Sequence, residues 1–189
     1  MRTLQKLMRL HDKTPRALVC FLAGSLPVTA ILHQRQMSLF TMVCYMRNDP
    51  LFYHAQHTLI HSRVNKHSWF IQVRDICLRY GLPHPLNLLE DPPPKQKLKN
   101  MVKLKITEYW QKTLAQEVLS KPSLCHFSPH MHSLTRPHPM WSAAGSSSFE
   151  INKCTILARL TSGRYRQKLL QDSGLRTGRA YASSQPATM

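Results

Sequence analysis

The sequence predicts an all-α protein, and three observations carry that prediction. Apolar residues recur at the 3.6-residue period in several separate segments. The starts and ends of these segments are marked by Pro, Gly, Asn, Asp and Thr in the places where helices begin and stop. Nothing shows the alternation of strand and helix that builds a parallel sheet.

In chain order, residues 3–11 place Leu4, Leu7, Met8 and Leu10 on a broad apolar face, a short helix. Thr14 then caps a second helix with Pro15 at its first position, and Gly24 ends it by taking the left-handed turn. Pro27 opens a longer helix to about Met46, with Val28, Ile31, Leu32, Leu39, Val43 and Met46 on one side and Gln34, Arg35, Gln36 and Arg47 polar. Asn48-Asp49-Pro50 stops it and starts a helix over 51–60. The clearest stripe is Trp69, Phe70, Val73, Ile76, Cys77 and Tyr80, closed by Gly81 and Pro83. At most one helical turn fits before the proline break at residues 92–94. From Gln96 to Leu119, Leu98, Val102, Ile106 and Tyr109 share a face. Length and the abundance of Glu, Gln, Lys and Leu favour helix over the strand that "VKLKIT" permits. Residues 121–146 hold Pro122, Pro129, Pro137 and Pro139 with little periodicity. A last helix opens on a Ser147–Glu150 capping box, with Ile151, Cys154, Leu157, Ala158 and Thr161 apolar and Gly163 as its end.

The expected organisation is an irregular multi-helix region over 1–120, a Pro/His-rich loop or linker over 121–146, an amphipathic helix ending in a basic segment over 147–170, and a disordered tail over 171–189.

Charge bounds the function. The chain carries 26 Lys plus Arg against 9 Asp plus Glu, a net +17. Such a surface attracts polyanions, of which nucleic acid is the commonest. The same excess also fits weak, charge-only RNA binding, and composition does not separate the two. The five cysteines are scattered, with no Cys-x-x-Cys pair, and the chain has no Asn-x-Ser/Thr sequon. That reads as a reduced, intracellular protein, nuclear or cytoplasmic. Ala17 to Leu32 is apolar but broken by Gly24, Ser25 and Pro27, too short for the roughly 20 residues a span needs. It also fits a signal-peptide core cleaved after Ala30, or a buried helix end.

No catalytic arrangement is visible. The nine acids are scattered, so the clustered carboxylates of two-metal chemistry are missing. There is no nucleophile elbow, and "SGRYR" lacks the ending of a phosphate loop. Cys125, His126, His130, His132 and His138 match no structural zinc spacing, and no metal, cofactor or small-molecule substrate is expected. Two groups suit nucleic acid. Arg159, Arg164, Arg166 and Lys168 can grip phosphate while Tyr165 stacks on a base, although Arg is favoured at a helix C-terminus anyway. Lys97, Lys99, Lys103 and Lys105 can do the same, or form a solvated helix face.

A string of phrases adds to this. "LQKLMRLHDKTPR", "FLAGSLPVTAILHQRQMSLFTM", "SWFIQVRDICLRYGLPHPLNLLEDPPP", "MVKLKITEYW", "SLTRPHPMWSAAGSSSFE" and "ARLTSGRYR" occur in this order over residues 3–166. Together they resemble the segment that follows the reverse-transcriptase domain in non-LTR (LINE-type) retrotransposon polyproteins of animals. The resemblance implies a non-catalytic region that helps hold template RNA or target DNA. The family's polymerase motif, Tyr-x-Asp-Asp, does not occur in this chain, nor does its terminal Cys/His cluster: no Cys follows Cys154 and no His follows His138. The chain is therefore expected to be a fragment starting after the polymerase core, with unrelated sequence after "GRYR". Two rivals stand beside this: a self-standing helical adaptor that binds a protein through the Trp69–Tyr80 stripe, and a secreted basic peptide.

Overall fold

The computed structural model describes residues 2–61, 68–124, 127–143 and 147–162. Among these residues the protein is all-α, with nine α-helices, two 3₁₀ turns and no strand. The helices are Arg2–Leu7 (α1), Arg16–Ala23 (α2), Val28–Cys44 (α3), Pro50–His61 (α4), Trp69–Tyr80 (α5), Pro85–Glu90 (α6), Lys95–Leu119 (α7), Pro139–Ala143 (α8) and Ser148–Thr161 (α9).

Two apolar clusters share α7. The first gathers α3, α4, α5 and α6 against the front of α7, around Met37, Phe40, Phe70, Val73, Leu89 and Ile106. The second gathers α2, Leu124, Phe127, Leu134 and α9 against its end, around Leu18, Phe21 and Leu114. One spacing explains how a single helix serves both. Leu98, Val102, Ile106, Trp110, Leu114 and Val118 follow each other at i+4. Four residues overshoot a full turn by about 40°, so five steps swing the inward direction by about 200°. Trp110 sits midway and packs against both clusters. The expected face of this helix was right for Leu98, Val102 and Ile106. Its fourth member is Trp110 rather than Tyr109, which is 37% exposed.

α2 is the most buried element. Ala17 through Leu22 are all fully buried, as a helix apolar all round must be. That places the first part of the apolar run, and Ala30, in the core, while Val28, Ile31 and Leu32 stay exposed. Among the described residues no single helix is long and apolar enough to cross a membrane; α2 and α3 together pass such a test only as a pair bent by 64°. Gly24 closes α2 at φ 59°, with its N–H and that of Ser25 donating to the Phe21 and Cys20 carbonyls.

Several local expectations change. α1 turns Gln5 inward, where its amide donates to the Thr14 carbonyl at 3.1 Å, while Leu7 is 74% exposed. Thr14 does not cap α2: Pro15 holds the cap position, and the buried Thr14 hydroxyl has no partner among the described residues. Ser147 occupies the cap of α9 but makes no side-chain cap bond, so the capping box does not form. In α9 the buried residues are Cys154, Thr155 and Ala158, with Ile151 and Leu157 exposed, and Ser162 closes it. The largest reversal is α3. Its buried residues are Ala30, Met37, Phe40, Thr41, Val43 and Cys44, so of the expected apolar side only Val43 enters the core. Both faces of α3 are apolar, and periodicity has no means to choose between them.

Residues 121–124 and 127–143 carry the two 3₁₀ turns and α8, and they are fastened to the body. Leu124, Phe127 and Leu134 are buried in the second cluster. Gln111 of α7 holds the loop at both ends of its amide, donating to the His132 carbonyl (2.7 Å) and accepting from the Leu134 N–H (3.3 Å). The His138 N–H donates to the Leu22 carbonyl at the end of α2 (3.1 Å). The segment from Gly163 onward, including the expected disordered tail, lies outside the described residues.

Candidate nucleic-acid interface

The chain between α6 and α7 sets the position of the lysines. Prolines at 92–94 cannot continue α6, and α7 begins at the next residue. The end of α3 grips this turn: the Tyr45 hydroxyl donates to the Pro93 carbonyl, and the Arg47 guanidinium donates to the Glu90 carbonyl at 3.1 Å. The first turns of α7 are thereby held beside α3.

Lys97, Lys99, Lys103 and Lys105 are all exposed on α7. They do not form one surface. Lys95, Lys99 and Lys103 share a row, being four residues apart, and this row lines a groove against α3. Lys97 and Lys105 lie on the opposite flank of the buried Leu98–Val102–Ile106 row. Lys105 meets Glu108 at 3.8 Å, with both side chains about half exposed. The only other ion pair among the described residues is Lys121–Glu117, at 3.0 Å. Exposed pairs of this kind contribute about 0.5 kcal/mol or less. They neither hold the fold nor neutralise the lysines, and among the described residues no carboxylate pairs with Lys97, Lys99 or Lys103.

Arg159 has a structural partner. Its Nε donates to the Arg9 carbonyl at 2.9 Å, and Arg9 in turn donates to the Asn152 side chain at 2.9 Å. Arg9 sits at φ 51°, the one positive value at a non-glycine residue among those described. The pair ties the end of α1 to α9. Arg164, Tyr165, Arg166 and Lys168 lie outside the described residues.

Of the His-rich stretch, Cys125 and His126 lie outside the described residues, and the structure brings His132 and His138 together. Their ring centroids are 4.3 Å apart, and His132 stacks on Phe127 at 4.8 Å. Among the described residues no group of three or more His, Cys, Asp or Glu stands where it could hold a metal. Burial lowers the pKa of both rings below the ordinary 6.5, and His132 lowers that of His138 further. The His138 Nδ1 accepts the Met140 N–H at 3.2 Å, which requires that nitrogen unprotonated. On α3, His33 is shifted the same way, by burial and then by Arg79, and its Nδ1 meets the Tyr80 hydroxyl at 2.7 Å. A histidine with a lowered folded pKa binds its proton more readily when unfolded, so stability rises with pH. The contribution is complete above the unfolded value of 6.5 and is lost below it. Thermal melts across pH are expected to give a flat melting temperature between about pH 7 and 8 and a fall beginning near pH 6.5 on the acid side. A rise on acidification would contradict this.

Three of the described cysteines are poor nucleophiles. Cys20, Cys44 and Cys77 are buried, and desolvation pushes each thiol up to about 12. Thiolate, the reactive form, is scarce at that value. No protein-family model matches this chain, and neither a curated protein nor a solved structure matches it.

Proposed function

We propose that the chain is a non-catalytic, helical segment of a non-LTR (LINE-type) retrotransposon reverse-transcriptase polyprotein, acting inside the cell by holding RNA or DNA through phosphate contacts. The observation that carries this reading is the set of exposed lysines on α7, Lys97, Lys99 and Lys103 without ion-pair partners among the described residues, in a chain of net +17. Lys105 belongs to the same set, since its pair with Glu108 is too exposed to cancel it. Arg159 keeps an exposed guanidinium beside its bond to Arg9. In this reading Arg164, Arg166 and Lys168 add phosphate contacts and Tyr165 stacks on a base. The ordered sequence phrases over residues 3–166 support the family.

The test is the anisotropy of a labelled single-stranded RNA titrated with the purified chain. Replacing Lys97, Lys99, Lys103 and Lys105 together by Ala is expected to weaken binding at least tenfold while leaving the helical signal intact. Unchanged binding would remove these lysines from the interface. Template-dependent synthesis by the purified chain would sink the non-catalytic reading.

A second reading is a protein-interaction adaptor. The stripe first suited to it is used up in the core, since Phe70, Val73, Ile76, Cys77 and Tyr80 are buried. The observation that favours an adaptor is the outer face of α3, where Val28, Leu32 and Leu39 are each about half exposed. Salt-insensitive capture of a defined protein, abolished by Leu39→Glu, would support it.

A further inference from the structure

The geometry points to a binding site for one unpaired nucleotide of a single strand in the groove between α3 and α7. The inference rests on the nucleic-acid reading and gives it a location and a substrate class.

The groove encloses about 300 Å³, at the small end of ligand-binding clefts. Lys95, Lys99 and Lys103 line it, and no acidic residue does. Their spacing along the helix steps by about 6 Å, the scale of the separation between successive phosphates on an unstacked strand. Apolar lining comes from Met37, Met42 and Val102. Met42 is 47% exposed, and its flexible thioether is suited to lie against a flat ring. Polar lining comes from Gln34, Ser38 and Thr41. The Gln34 amide nitrogen is buried and has no hydrogen-bond partner among the described residues, a donor for which a base carbonyl or phosphate oxygen supplies the acceptor. Cations, a polarizable apolar surface and an orphaned donor are what one nucleotide requires. A duplex presents its bases already paired and stacked, and a cleft of this size does not admit it. The more open groove on the outer side of α7, about 680 Å³, sets Glu108 beside Lys103 and is less suited to an anion.

The test compares binding of a labelled oligothymidylate, a nucleoside monophosphate and inorganic phosphate to the full chain and three variants. Ser38→Trp fills the groove without changing charge, at an exposed position. Lys99→Glu with Lys103→Glu reverses its cations. Lys6→Glu with Lys13→Glu makes the same charge change at exposed positions that do not line the groove. Both groove variants are expected to weaken oligonucleotide binding at least tenfold, and the control pair less than threefold. The monophosphate should bind weakly and compete with the oligonucleotide, and inorganic phosphate should compete less. Equal losses in the control and groove pairs, or no loss in Ser38→Trp, would overturn the groove while leaving non-specific nucleic-acid binding standing. No oligonucleotide binding by the parent chain would overturn both.

Discussion

Gly24→Ala is expected to abolish or nearly abolish folding. Gly24 adopts φ 59°, where any residue with a Cβ is strained by about 1–2 kcal/mol. That strain alone is tolerable. The larger effect is steric: a Cβ here would overlap the Arg136 carbonyl and the Pro137 nitrogen, which are backbone atoms that cannot swing away. Relief requires residues 134–138 to lift off α2, and with them the buried Leu134 and the His138-to-Leu22 hydrogen bond. The combined loss is expected to exceed about 4 kcal/mol, a large part of the roughly 5–15 kcal/mol that holds a domain. Gly81 is the internal control. It closes α5 at φ 62° in the same manner, but a Cβ there meets nothing within 4 Å. Gly81→Ala should therefore cost only about 1 kcal/mol, the left-handed strain by itself. Chemical denaturation of the two variants checks this, and equal losses would contradict the close approach at Gly24.

Trp110→Ala is the second large effect. The indole packs against both clusters, and its N–H donates to the Tyr80 hydroxyl at 3.0 Å. That hydroxyl also meets His33, so the indole helps hold α3, α5 and α7 together. The indole is only partly buried, so its removal costs about 2–4 kcal/mol. For a chain of this length that corresponds to a drop of roughly 10 °C in melting temperature. The melt should also broaden, because the front and rear of the protein lose their shared side chain. Leu104→Ala, on the exposed side of the same helix, should change stability by about 0.5 kcal/mol or less. A drop as large for Leu104 as for Trp110 would contradict the division of α7 into inner and outer faces.

The contrast between α5 and α3 shows what periodicity can resolve. In α5 the polar residues Gln72, Arg74, Asp75 and Arg79 leave one main apolar stripe, and Phe70, Val73, Ile76, Cys77 and Tyr80 of that stripe are buried, with Ile71 beside them. α3 has apolar residues on all sides, so its buried face is set by where α5 and α7 lie, which no local pattern encodes. The i+4 wrap of α7 is likewise written in the residues, yet it reads as a single stripe until two separate cores are seen to need it. Residues 121–124 and 127–143 carry their packing in isolated anchors, Leu124, Phe127 and Leu134, spaced too irregularly to register as a pattern. The lysines of the candidate interface were visible as residues. Their division into a groove-lining row and an opposite pair depends on α3 lying alongside. Gln34, Ser38 and Met42 carried no signal in the sequence, because they become site residues only where two helices meet.

The most direct test of the central claim is the salt dependence of binding to single-stranded RNA. The logarithm of the binding constant should fall linearly with the logarithm of salt concentration, at a slope of about −3 if about four phosphates are engaged. Replacing Lys99 and Lys103 by Ala should flatten that slope by about 1 to 1.5. A slope near zero, or one that these replacements leave unchanged, would contradict phosphate binding by the lysines of α7.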